Sequence, residues 1–296
     1  MTVLSPNKIA WVYGMLVPAI LLGPLAVWSA PWTVVPALIL AFGTVCLGHT
    51  VGLHRGIIHR SYQTSRPVRN ALALLFVLTG LVGPLSWYKV HFLRDHHQAR
   101  PDAPGHLRFD HGWWRDWVLT HHRTPVVDDW RPVGLRADDL SDKWLQWLER
   151  HWVSVQLAQA GLLAVIGGWE LLIVAWCARN ALVIWGHWFV GYVAHTRGSQ
   201  RYRLWRASEE GRNTWLLGVL SLGEGFHNNH HAAPASARIG RVWWEIDLGW
   251  YTIVAMEALG LVWAVNRPRH LRDLLKDDAT LVGDPEPEWQ DEDLAA

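Results

Sequence analysis

Two apolar runs lie almost back to back near the start of the chain, residues 9–28 and 32–53, parted only by Ser29, Ala30 and Pro31. A helix rises ~1.5 Å per residue, so ~20 apolar residues cross the hydrocarbon core of a bilayer. So short a joint forces the two arms antiparallel. A second, less regular pair follows at residues 153–166 and 171–190, joined at Gly167, Gly168 and Trp169. The pattern predicts an all-α integral membrane protein with four spans in two helical hairpins. Only 18% of the 296 residues are charged, against ~25% in an ordinary soluble domain, which agrees with part of the chain lying in lipid. A fifth apolar stretch, residues 71–85, contains Gly80, Gly83 and Pro84 and reads as an interfacial or partly re-entrant helix.

Arg55, Arg60, Arg66 and Arg69 follow the second run, whereas the first joint carries no charge. Lys and Arg near span ends stay cytoplasmic, so both termini and the long polar segments are expected on the cytoplasmic side of a bacterial-type inner (cell) membrane. Residues 89–150 are too polar to cross and are expected to form a cytoplasmic cap of short helices and loops. Residues 251–265 read as an interfacial helix. The first apolar run lacks a small-residue cleavage pattern and reads as a retained helix. The chain divides into a membrane domain, 1–273, and an acidic tail, 274–296, expected to be disordered. A net charge of +1 gives no field for nucleic acid. Cys46 and Cys177 sit in apolar runs and are given no chemical role.

The chain has 17 histidines, and histidine is the commonest metal-ligating side chain. His227, His230 and His231 stand at i, i+3 and i+4, one helical face from which three imidazoles can converge on one or two metal ions. His54 and His59 bracket the end of the second run, and His187, Gly191 and His195 recur at four-residue intervals at the end of the fourth. Both hairpins thus deliver histidines to one depth. His49, one turn before His54, is open between a ligand, a ligand's partner and a helix-to-helix hydrogen bond. His111, His121, His122, His151 and His270 read as interfacial rings with a wet tip.

HRGIIHRSY at residues 54–62 and GEGFHNNHH at residues 223–231 resemble the first and third histidine boxes of membrane-bound acyl desaturases of the stearoyl-CoA desaturase type. The likeness runs through both hairpins and SARIGRVWWEIDLGWY at residues 236–251, from about residue 10 to about residue 266. It implies two non-haem irons held almost wholly by histidine, with dioxygen as oxidant and a narrow apolar tunnel for an acyl chain. Carried over by position, it assigns His54, His59, His195, His227, His230 and His231 to the metals. The middle box departs from the family pattern of a histidine followed two or three residues later by a histidine pair and then Asp-Pro-His. Here the order is Trp87, Tyr88, Lys89, Val90, His91, Phe92, Leu93, Arg94, Asp95, His96, His97, with Gly105-His106 where Asp-Pro-His is expected. His91 and His106 are taken as ligands. His96, His97 and His187 are further candidates, and Asp95 either ligates iron or orients a ligand imidazole.

Glu224, Asn228, Asn229 and Asp247 are candidates for fixing the ligand rings through their second nitrogens, with capping or turn chemistry the alternative for the two asparagines. Arg94 and Arg197 are candidates for a charged head group, with topology as their other role. Arg179 falls in mid-span, where an ionisable group is by default functional or paired. The expected reaction inserts a double bond into an acyl chain carried by acyl-CoA or a similar carrier thioester. A hydroxylase or acetylenase on the same irons, or a non-catalytic metal- or haem-binding membrane protein, stands as the alternative. No iron–sulfur spacing and no HPGG haem motif is visible, so electrons are expected from outside, from a donor such as ferredoxin with its reductase.

Overall fold

The computed structural model describes residues 1–98, 100, 103–207, 211–267 and 275–285. It is mostly helical. In chain order the helices are α1 Pro6–Ser29, α2 Val34–Phe42, α3 Arg66–Val77, α4 Pro84–Gln98, α5 Trp113–His122, α6 Ala137–Leu140, α7 Lys143–Leu172, α8 Arg179–Thr196, α9 Trp215–Leu220, α10 His227–Ala232 and α11 Leu248–Ala258. Helix α2 continues into a π-helical segment, Gly43–Ile58, and a shorter one, Ile173–Ala178, joins α7 to α8. Among the described residues, six short strands pair two by two and antiparallel. They are β1 Thr2–Leu4 with β3 Arg123–Pro125, β2 Gln63–Thr64 with β5 Val262–Trp263, and β4 Tyr202–Leu204 with β6 Ala279–Leu281.

Among the described residues, three helical runs are long and apolar enough to cross a membrane: Pro6–Ser29, Pro31–Ile58 and Lys143–Thr196. The third has 54 residues and if straight would measure roughly 80 Å, far beyond a ~30 Å bilayer core. It is not straight. Gly167 (φ −141°, ψ 26°) and Gly168 (φ 67°, ψ −164°) leave helical geometry, and Gly168 occupies a region open essentially to glycine alone. The arms then lie side by side. Gln156 Oε1 on one arm accepts hydrogen bonds from Trp176 Nε1 (2.8 Å) and Asn180 Nδ2 (3.0 Å) on the other, and Trp11 of α1 packs edge-on against both Trp152 and Trp176. A methyl group on Gly167 would meet Trp32, so the turn of this hairpin abuts the joint of the first.

Large apolar side chains near the two joints are exposed, among them Leu21, Trp28, Ile39, Val165 and Ile166, the surface a lipid-facing protein presents. At mid-depth the arms carry a polar knot. Arg179 is buried and donates to the carbonyls of Ala175 and Leu78, to Thr44 Oγ1 and to Gln159 Oε1. Its partners are neutral groups, which satisfy its donors without a counter-charge.

Two expectations change. Residues 71–85 are not one helix: α3 ends at Val77, Gly80 turns with φ +78°, and α4 begins at Pro84. Helix α3 lies flush on the π-helical segment because Gly48 lets the backbone of Leu75 and Phe76 approach to a distance no Cβ would tolerate. Within the acidic tail, residues 279–281 are the strand β6, held by backbone pairing with β4; residues 274 and 286–296 lie outside the described residues, as does His270.

The Gly168 turn gives a direct test. Gly168→Ala should cost about 1–3 kcal/mol, read as a lower thermal midpoint in detergent. Gly161→Ala, inside α7 with open space around it, should instead raise stability by about 0.5–1 kcal/mol.

Candidate metal centre

Seven of the histidines gather into two groups, His54, His59, His91 and His230 in one and His195, His227 and His231 in the other, each with its ligand atoms within 4.8 Å of one another. Local helical geometry makes this possible. His59 N–H donates to His54 carbonyl at 3.0 Å, an i to i+5 bond, so residues five apart share a face in the π-helical segment, as they would not in an α-helix. His91 comes from α4 and His195 from the last turn of α8. The short helix α10 is divided between the groups: His227 and His231, at i and i+4, face one, while His230 faces the other, 4.6 Å from His54 between ring centroids.

The donor chemistry fits metal ions better than hydrogen bonds. His227 Nε2 lies 3.0 Å from His195 Nε2 and 2.9 Å from His231 Nε2, yet a neutral imidazole nitrogen carries either one proton or one lone pair. It can therefore satisfy one of those two contacts at most. His59 Nε2 and His91 Nε2 meet at 3.0 Å in the first group. Burial pushes the His227 imidazole down to about 4 and His230 and His231 well below their ordinary value. The rings are thus held neutral, the form that ligates metal.

Around the rings, Glu224 brings Oε2 within 2.7 Å of His54 Nδ1, at an angle short of a formed hydrogen bond. Trp87 stacks on His91 at 5.0 Å, and Phe109 stacks on His195 at 4.4 Å, with Arg94 also over the Phe109 ring. Asn228, Asn229 and Asp247 work at one remove. Asn228 Oδ1 accepts from the backbone N–H groups of Arg201 and Tyr202 at 2.8 Å each, and Asn229 Nδ2 donates to Glu245 and to the Ile239 carbonyl. These bonds hold α10 in place. Asp247 caps α11 and pairs with Arg55, which is 1% exposed and also donates to the carbonyls of Ala237 and Leu222.

Other expected positions fall elsewhere among the described residues. His106 sits on a single turn, Gly105–Leu107, outside both groups, because the chain leaves α4 at Gln98 and does not return to the rings there. His96 and His97 pack against each other near the end of α4, also outside. His187 joins neither group; it packs edge-on with His49, 5.1 Å away, beside Trp87. Arg197 is exposed at the end of α8. Asp95, one turn after His91, has Oδ2 3.3 Å from His91 Nε2. The roles of Trp87, Phe109 and Arg55 escaped the sequence reading; an arginine adjoining the first-box histidine was the available hint for Arg55.

A helical chain with long apolar runs and a histidine-built site where they end is a membrane-associated protein equipped to bind metal. The model of the fatty acid desaturase family matches residues 29–258. The chain is 35% identical over 227 residues to an sn-1 stearoyl-lipid 9-desaturase of Anabaena variabilis, covering 76% of this chain and 80% of that one. It is 31% identical to an sn-2 palmitoyl-lipid 9-desaturase of Nostoc sp. (80% and 83% covered) and 30% identical to an acyl-CoA 5-desaturase of Anemone leveillei (81% and 73% covered). The chain belongs to the fatty acid desaturase family, and its activity is that of an oxidoreductase.

Protonation supplies a test of the buried rings. A histidine titrates near 6.5 when unfolded, whereas folding holds His227 near 4. The unfolded chain therefore binds more protons between those values, and the metal-free fold should lose stability as pH falls from 6.5 towards 4. Each such ring contributes up to roughly 1.4 kcal/mol per pH unit. Thermal unfolding of metal-free protein across that range checks this; a midpoint flat with pH would contradict it.

Proposed function

We propose that this protein inserts a double bond into a saturated acyl chain, using dioxygen, at two irons held by His54, His59, His91 and His230 and by His195, His227 and His231. The observation that carries this reading is the division of seven histidines into two adjacent groups in a chain of the desaturase family. The balance is one CH₂–CH₂ unit, one dioxygen, two electrons and two protons giving one CH=CH unit and two waters. Iron bound there would supply the oxidising power that side chains lack.

The chain's own residues orient and enclose. Glu224 sits against the outer nitrogen of His54, the contact that sets a ligand ring's tautomer and direction. Trp87 and Phe109 cover His91 and His195 with apolar rings, keeping bulk water from the reacting region. Burial of an acyl tail favours binding by ~0.8 kcal/mol per CH₂. We take the acyl carrier to be CoA or a similar thioester, with Arg94 and Arg197 nearest in role to a head-group site. A lipid-linked acyl chain is the second reading, favoured by the Anabaena and Nostoc relatives, which are named as stearoyl-lipid and palmitoyl-lipid desaturases. The folded-back run Lys143–Thr196 supports four spans. The site is then assigned to the cytoplasmic face of the cell membrane, where an external donor such as ferredoxin with its reductase delivers electrons.

Expression in a host with a simple lipid profile tests the reaction. The wild type should produce a new monounsaturated acyl species by mass spectrometry, and His230→Ala and His227→Ala should reduce it at least ~100-fold. Purified protein with defined acyl-CoA or acyl-lipid, ferredoxin, reductase and NADPH then separates the two carriers. No product from either substrate would remove the reading.

A further inference from the structure

The exposed apolar surface is not confined to the three long runs. Helix α9 presents Trp215, Leu216 and Leu220, and the turn before α11 presents Trp243 and Trp244. Leu216 and Leu220, at i and i+4, share one face. Trp215 Nε1 donates to the Trp244 carbonyl at 2.7 Å, and the rings of Trp243 and Trp244 meet edge-on at 5.5 Å. The two segments therefore form one patch. It carries no free anion: Glu224, Glu245 and Asp247 are buried, and Glu257 is paired with Arg267.

The packing of α11 gives the level of this patch. A Cβ on Gly249 would meet Thr50 and Arg55, and Thr252 Oγ1 lies 3.3 Å from Cys46 Sγ. As α11 advances, its contacts move back along the run Pro31–Ile58, so the two are antiparallel. Counted from Pro31 at ~1.5 Å per residue, a ~30 Å bilayer core ends about 20 residues on, near Thr50. Helix α11 thus starts at that boundary and descends below it, with Tyr251 and Val254 facing outwards. The patch is tied to the start of α11, where Gly249 N–H donates to the Leu222 carbonyl, two residues after α9 ends.

We infer that the α9 patch is a membrane-docking surface, seated in the head-group layer of the bilayer beside the metal centre. Its occupant is lipid. Tryptophan rings concentrate at that level because their apolar body and N–H suit the boundary, and the patch continues the outer face of α11 without an intervening exposed carboxylate. Helix α10 follows α9 directly, so the segment bearing His227, His230 and His231 is held against the membrane surface. The inference rests on Pro31–Ile58 crossing a bilayer and is independent of the two-iron reading.

Spin labelling tests it in full-length protein reconstituted in phosphatidylethanolamine–phosphatidylglycerol nanodiscs. Trp243→Cys and Leu220→Cys carry the nitroxide. Trp243 is 82% exposed, so its replacement leaves the packing intact, and the native Cys46 and Cys177 are buried; unlabelled background is checked on the wild type. Ile20→Cys on α1 is the lipid marker, and Arg131→Cys, at a position 90% exposed in the cap, is the water marker. Power-saturation EPR reads accessibility to dissolved oxygen relative to a water-soluble nickel chelate. At positions 220 and 243 this ratio should stand several-fold above that at 131, on the side of position 20. A ratio equal to that at 131 would overturn the inference, as would shielding from both probes with dipolar broadening, the mark of a second copy covering the patch. A water-like ratio at position 20 would remove the membrane-crossing reading and this inference together.

Discussion

The ion pair between Arg55 and Asp247 holds the site together. Both side chains are 1% exposed, and Arg55 Nη2 and Asp247 Oδ1 are 2.9 Å apart. Removing Arg55 would leave Asp247 as an uncompensated buried charge, typically a loss of 3–5 kcal/mol. The pair joins parts of the chain almost two hundred residues apart. Arg55 follows His54 directly, and Asp247 organises the segment beyond α10 by accepting from Ile239, Gly240 and Trp250. Gly223 and Gly249 leave room for this: a Cβ on Gly223 would strike Asp247 and Arg55, and one on Gly249 would strike Arg55. With that segment fixed, α10 can set His230 against His54.

The second constraint is helical pitch. Seven rings cannot reach two centres from α-helices alone when two of them stand five residues apart. The π-helical segment Gly43–Ile58 solves this for His54 and His59, while the i to i+4 spacing of an α-helix serves His227 and His231. One segment presents its histidines to a single group, and the other divides three histidines between the two groups. The difference is one of backbone hydrogen bonding, and no composition rule reveals it.

Much was legible beforehand, for physical reasons. Apolar run length exposed the hairpin arms, because a bilayer imposes a minimum span; the Gly167–Gly168 break marked the second turn, because glycine tolerates φ near +67°. Histidine spacing in the third box located α10. What escaped was whatever depends on distant chain meeting: that His230 parts company with its neighbours, that Arg179 is satisfied by neutral groups, and that His106 and the pair His96 and His97 stay outside the groups. Spacing assigns a face to a side chain but not the element that face will meet. The arginines read as orientation markers show the same limit, since Arg60 and Arg69 are paired with Asp138, Asp139 and Asp142, and Arg55 is interior.

These departures form a pattern in space. Arg94 and Phe109 border the group of three histidines: Arg94 lies over Phe109, which stacks on His195. The group of four is instead bordered by Glu224, Arg55 and Trp87. The group of four, whose rings come from the first, middle and third boxes, is thus braced by buried ion pairs. The group of three, built from α8 and α10, is braced by aromatic and cationic stacking.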